Sequence, residues 1–237
     1  MAIEPVMADI IRQLAPTLPN RRVLSLGYPD ILTLADTPTD PERVSIAAWH
    51  RWSGGIEDAG HFFGKQELEP EYWDVTQARG PERVVDLNEV TQDLYGHTWF
   101  SGDDFSPRNT FGLVIDPGTI EHIANIGNCW RILCAVTARN GFVIHSNPLT
   151  MANHGFYSIH PTAYADIYEA NGFKVEMMVE MSGPREKRVL REVPPYARYQ
   201  PAADSIMLVV ARKLEDVPFV WPTQRKYRVN PMLKASQ

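Results

Sequence analysis

Cysteine is scarce in this chain: Cys129 and Cys134 are the only two in 237 residues. They lie five positions apart on one predicted helix. That spacing puts them on different parts of its surface, so they read as buried free thiols in a reducing compartment and not as a disulfide. Long apolar runs are also missing. Nothing approaches the roughly 18 residues of a membrane span, so no membrane partner is expected. Basic charge is not in excess: the net charge is −6, which argues against a nucleic-acid partner. The first residues, MAIEPVMADIIRQLAP, carry acids where a secretion signal would be basic, so a cytoplasmic location is expected. The His residues show no metal spacing such as H-E-x-x-H, and there is no paired C-x-x-C, so no metal ligands are expected. No G-x-G-x-x-G follows the first predicted strand, which leaves a nicotinamide-dependent enzyme without support. Repeats, low-complexity tracts and clear linkers are absent too, so 1–237 reads as a single domain.

What is present is an ordinary globular balance, 44% hydrophobic and 22% charged, enough to bury a core. The chain is organised around 111–161. Leu113, Val114 and Ile115 form an apolar run that reads as a buried strand, stopped by Asp116-Pro117-Gly118-Thr119. Ile123, Ile126, Trp130, Leu133, Cys134 and Thr137 then follow a helical period. Asn140-Gly141 is expected to cap that helix, and Phe142, Val143 and Ile144 begin the next strand. Strand, helix, strand is a βαβ unit with parallel strands. Polar residues gather after both strands, where open parallel sheets bind ligands.

Elsewhere, a helical stripe covers 3–14, and a short strand runs from Arg22 to Gly27. Segment 36–71 reads as an insertion rich in aromatic and imidazole groups, either a binding loop or an irregular packed piece, with Asp40 as a cap for a short helix. Strands are expected at 71–75 and 83–88, ending near Asp74 and Asp86. A connecting segment covers 94–106. A helix follows His160-Pro161 and ends at Asn171-Gly172. Strands are expected at 173–181 and 206–211, with a long basic loop at 182–204 between them and an extended tail from 217.

VIDPGTIEHI, NGFVIHSNP and HGFYSIHPTAYADIYEANGF resemble segments of the class I S-adenosylmethionine-dependent methyltransferases of the small-molecule type. The likeness extends over about 22–213. The resemblance implies an α/β, Rossmann-like fold: a seven-stranded, mostly parallel sheet between helix layers, with 206–211 as an antiparallel last strand. It implies S-adenosyl-L-methionine as cofactor and a small-molecule acceptor, sugar-like or a secondary metabolite, methylated at oxygen or nitrogen. On this chain the methionine part of the cofactor would lie over the turn at Gly27 and Tyr28. Asp74 would accept the ribose hydroxyls, and Asp86 with the Leu87 backbone would read the adenine. The turn from Asp116 to Gly118 would face the cofactor's amino group. The first motif departs from the family pattern. Ser25 stands where an acid is usual, and Gly27-Tyr28-Pro29-Asp30-Ile31 replaces a Gly-x-Gly-x-Gly run, with Asp30 as the nearest substitute carboxylate. That departure keeps open a second reading, a non-catalytic methyltransferase-like subunit acting as partner or scaffold.

For the chemistry, the resemblance puts Glu121 and His122 beside the methyl group, and His154 on the loop that covers the acceptor. Imidazole is the commonest general base near neutral pH, and an acid suits a helix start. His145 reads as structural. The basic segment 182–204 offers Arg185, Lys187, Arg188, Arg191 and Arg198 for an anionic substrate, or Tyr196 and Tyr199 for a homodimer contact.

Overall fold

The computed structural model describes residues 1–35, 38–89 and 109–230. The connecting segment expected over 94–106 lies outside them. The strands are β1 (Ala2–Ile3), β2 (Arg22–Leu26), β3 (Asp30–Thr33), β4 (Gly55–Glu57), β5 (Glu69–Asp74), β6 (Arg83–Val84), β7 (Phe111–Asp116), β8 (Thr137–Pro148), β9 (Phe173–Ser182), β10 (Val189–Glu192) and β11 (Ile206–Lys213). The helices are α1 (Pro5–Leu14), α2 (Pro41–Trp49), α3 (Ala59–Lys65), α4 (Ile126–Val136), α5 (Pro161–Ala170) and α6 (Arg225–Arg228).

The main sheet has the order β10-β9-β11-β8-β7-β2-β5-β6. From β8 to β6 every pairing is parallel, and β11 runs antiparallel between β8 and β9. This is the implied Rossmann-like sheet with one difference: β10 pairs antiparallel with β9 and adds an eighth strand at the edge. It occupies part of the segment expected to be loop. β7 sits in the middle with all six residues buried, as a strand covered on both faces must be.

Successive side chains of a strand point to opposite faces, and the core divides accordingly. Leu24, Val114 and Val143 pack with Trp130 of α4 and Tyr164 and Tyr168 of α5. Leu113, Ile115 and Ile144 pack on the other face with Met7 and Ile11 of α1 and Phe62 and Phe63 of α3. The result is a three-layer α/β/α arrangement.

Several local expectations change. α1 begins at Pro5, where a ring-fixed φ is already helical, and Ala2–Ile3 instead pairs with β3. α4 ends at Val136. Asn140 and Gly141 do not cap it; they lie inside the long strand β8, where the register against β7 shifts between Phe111 and Leu113. Asn140 has φ +64°. A Cβ on Gly141 would meet the Ala138 and Gly112 carbonyl oxygens at 2.8 and 2.9 Å. Asn-Gly suits a strand irregularity as well as a helix cap, since both need a positive φ or a close backbone approach. Of the strand expected at 83–88, only Arg83–Val84 pairs, against Trp73 and Asp74. Within 36–71 the chain forms α2, β4 and α3, with Asp40 capping α2 by accepting from the Glu42 N–H. The two cysteines are buried free thiols, both pushed up to about 12, mainly by burial. No helix among the described residues is long and apolar enough to cross a membrane.

Candidate active site

A cavity of about 1110 Å³ opens at the carboxyl ends of β5, β7 and β8. Its wall includes seven of the residues singled out from the sequence: Asp74, Asp86, Leu87, Gly118, Glu121, His122 and His154. Gly27, Tyr28 and Asp116 are not on that wall, each for a separate reason.

Gly27 has φ +86° and turns the chain at the end of β2. The turn is fixed by Ser25 Oγ donating to Gly27 O (2.8 Å) and Gly27 N–H donating to Trp73 O (2.6 Å). Ser25, in the place of the usual acid, therefore ties the turn itself. Gly27 is covered by the side chain of Met1: a Cβ on it would stand 1.7 Å from Met1 Cε and 3.3 Å from Asp74 Oδ2. Thr119 Oγ1 donates to Leu26 O (2.7 Å) and lies 2.8 Å from Met1 Sδ.

Tyr28 points the other way. Its hydroxyl donates to Asp58 Oδ2 (2.5 Å), and its ring packs on Tyr72 with centroids 4.6 Å apart. Burial first, then the hydrogen bond to Asp58, push its pKa up to about 12. Tyr28 therefore ties the start of α3 to β5 from outside the main cavity. Asp30 is also committed elsewhere. It accepts from Arg79 Nη2 (2.6 Å), and its Oδ2 lies 2.8 Å from His50 Nε2. It does not replace the missing acid.

Asp74 and Asp86 end up exposed to different degrees. Asp74 is half-buried beside Gly27, its Oδ1 accepting from the Thr76 N–H (3.1 Å). Asp86 is exposed, with Oδ1 accepting from the Asn88 N–H (2.8 Å). Leu87 is buried, and its carbonyl accepts from Asn128 Nδ2 (3.0 Å).

Asp116 anchors the turn from beneath. Its Oδ1 accepts from the Thr119 and Ile120 N–H groups at 2.9 and 3.3 Å. Its Oδ2 lies 2.7 Å from His145 Nδ1 and accepts from Asn147 Nδ2 at 2.8 Å. His145 Nε2 in turn lies 2.5 Å from Tyr168 Oη. Asn147 Nδ2 also donates to Glu121 Oε2 (2.9 Å), and Asn147 Oδ1 accepts from Tyr164 Oη (2.7 Å). This buried chain from Tyr168 to Glu121 was not assembled from the sequence. Its signals were the two-residue spacing of His145 and Asn147 along a strand and the four-residue spacing of Tyr164 and Tyr168 along a helix.

The chain ends at a group of three side chains. Glu121 is fully buried. Its free oxygen, Oε1, lies 3.8 Å from His122 Nε2 and 3.7 Å from His154 Nε2. The two imidazoles have centroids 5.2 Å apart. Burial, then the Asp116 charge, raise the Glu121 carboxyl to about 8. Burial, then the neighbouring His154, lower His122. The loop carrying His154 is built onto Glu121: Phe156 and Tyr157 N–H donate to Glu121 O at 2.8 and 3.2 Å. Gly155 permits this approach, since a Cβ there would stand 2.8 Å from that oxygen.

The basic segment is largely neutralised within the fold. Arg188 makes two bonds to Glu4 (2.7 and 2.5 Å), Arg185 Nε lies 3.0 Å from Glu4 Oε1, and Arg191 pairs with Glu180. These contacts explain Arg185, Arg188 and Arg191 as supports for the edge hairpin.

No family model and no curated protein matches the sequence. Among solved structures, the chain is similar to the N-methyltransferase NodS of Bradyrhizobium japonicum in complex with S-adenosylhomocysteine, at 12% identity over 90% of this chain and 89% of that one, with a TM-score of 0.48. A SAM-dependent methyltransferase of Archaeoglobus fulgidus overlaps 88% of this chain and 93% of its own, at 12% identity and a TM-score of 0.48. The Burkholderia thailandensis 1,6-didemethyltoxoflavin-N1-methyltransferase overlaps 88% and 77%, at 14% identity and a TM-score of 0.44. Overlaps this loose say nothing about residues, so the site stands on the geometry above.

Proposed function

We propose that this chain is an S-adenosylmethionine-dependent methyltransferase acting at an oxygen or nitrogen of a small-molecule acceptor. One observation carries the reading. The Asp74 carboxylate, on the cavity wall at the end of β5, stands beside the positive-φ Gly27 turn at the end of the adjacent β2, and the cavity continues from Asp74 to Glu121, His122 and His154.

The residues fit such a cofactor on one condition. An ionised carboxylate accepts two hydroxyl hydrogen bonds at once, and Asp74 has Oδ2 directed to that side of the turn. Leu87 is buried on the cavity wall, suited to the face of an aromatic ring. The condition is that Met1, whose unbranched side chain rotates freely about three bonds, leaves the space over Gly27. When bound, S-adenosylmethionine supplies an electrophilic methyl group on a sulfonium sulfur. The chain's own contribution is positional: Glu121, His122 and His154 ring the far half of the cavity and hold the acceptor in place. The cavity also has room for an acceptor of modest size.

A thermal shift experiment with S-adenosylhomocysteine tests this. The wild-type melting temperature should rise with ligand and that of Asp74→Ala should rise much less. No rise in the wild type at millimolar ligand would favour the scaffold reading instead.

A further inference from the structure

Glu121 Oε1 is buried and has no hydrogen-bond partner among the described residues. A buried carboxyl oxygen left unpaired is costly. Two imidazole nitrogens lie at 3.7 and 3.8 Å, too far for a hydrogen bond. The three donor atoms all lie within 4.8 Å of one another. Metal bonds of about 2.0–2.2 Å set neighbouring donor atoms roughly 3.0–3.5 Å apart. The two half-exposed imidazoles need to move in by only a few tenths of an ångström to an ångström.

The surroundings are built for this convergence. Asn147 holds the other carboxyl oxygen, Oε2, which leaves Oε1 on the side of the two imidazoles. A Cβ on Gly118 would point onto Oε1 from 3.2 Å, and the glycine leaves that approach open. The His154 loop is hydrogen-bonded to the backbone of Glu121 itself.

We propose that Glu121 Oε1, His122 Nε2 and His154 Nε2 form a divalent transition-metal site whose open positions face the cavity. Two imidazoles and one carboxylate suit zinc, iron(II), cobalt or manganese better than calcium or magnesium, which prefer all-oxygen shells. Three protein ligands leave room for at least one exogenous ligand. Resting on the methyl-transfer reading, that ligand is the acceptor, and its class narrows to molecules with a hydroxyl or phenol oxygen. On coordination the oxygen would donate one lone pair to the metal, give its proton to bulk water and keep a further lone pair free for the methyl carbon. Sequence spacing hides the site because Glu121 and His122 follow β7 while His154 follows β8.

The untagged chain, stripped with EDTA and freed of it, is titrated with Co²⁺ and followed by visible absorption, then with Zn²⁺ in competition. One equivalent of Co²⁺ should give visible bands that Zn²⁺ abolishes. His122→Ala and His154→Ala, at half-exposed positions that do not threaten folding, should each weaken binding roughly 10- to 100-fold. Glu121→Gln should do the same. No bands at one equivalent, or unchanged affinity in both histidine variants, would overturn the site. The titration contains neither cofactor nor acceptor. Metal binding without S-adenosylhomocysteine binding would therefore remove the methyltransferase reading and keep the metal site, and the reverse pattern would do the opposite.

Discussion

Asn147 Nδ2 lies 2.9 Å from Glu121 Oε2, and that contact decides which way the Glu121 carboxyl faces. The same nitrogen reaches Asp116 Oδ2 at 2.8 Å, so one amide holds two buried acids. Asn147→Ala leaves both carboxyls without this donor and Tyr164 without its acceptor. The expected loss is about 1–3 kcal/mol of unfolding free energy, read from urea denaturation at neutral pH. A variant as stable as the wild type would show that the network carries no stability.

Gly155→Ala should lift the His154 loop, because the new methyl group would collide with the Glu121 carbonyl oxygen. Hydrogen exchange of the Phe156 and Tyr157 amides should then speed up, since both donate to that oxygen. Unchanged protection would mean that the loop is held by something else.

The sheet and the site differed in how far the sequence revealed them. Val114 and Ile115, and later Val143 and Ile144, announced central strands because strands covered on both faces must be apolar throughout. The eighth strand, β10, was hidden, since every residue of Val189–Glu192 is exposed and none carries a burial pattern. Asn140-Gly141 misled because its backbone preference serves two structures. Asp74 and Asp116 were both legible as acids at strand ends, but only the fold decides that one faces the cavity and the other lies beneath it. Tyr164 and Tyr168 looked like core, and they are; that their hydroxyls reach Asn147 and His145 depends on how α5 sits over β8.

Asp74 and Asp86 should respond differently to substitution. Asp74→Ala should weaken S-adenosylhomocysteine binding by about 1–3 kcal/mol, roughly 5- to 150-fold in Kd. Asp86→Ala should cost less, because that side chain is exposed and already bonded to the Asn88 backbone. Calorimetry on both variants checks the order, and equal losses would contradict it.

Acid should act through Asp30. Burial alone would raise this carboxyl, but the His50 hydrogen bond and the Arg79 charge outweigh burial and hold it below its ordinary value of 3.8. A carboxyl held low in the folded state contributes stability that is complete above its ordinary pKa. That stability is lost as pH falls through the folded value. The contribution should therefore be present at pH 7 and fade below about pH 4. Urea midpoints for the wild type and Asp30→Asn should converge over that range. A constant gap down to pH 2.5 would contradict the assignment.

Met1 should report on cofactor entry. Its side chain is the one placed over Gly27 among the described methionines. With methyl-¹³C methionine, its resonance should move most on addition of S-adenosylhomocysteine. A Met1 signal unmoved at saturation would mean that the ligand sits elsewhere.

Titration calorimetry of S-adenosylhomocysteine into the wild-type chain decides whether the cavity beside Asp74 takes the cofactor. Saturable one-to-one binding in the micromolar range is expected. No heat of binding at millimolar ligand would contradict it.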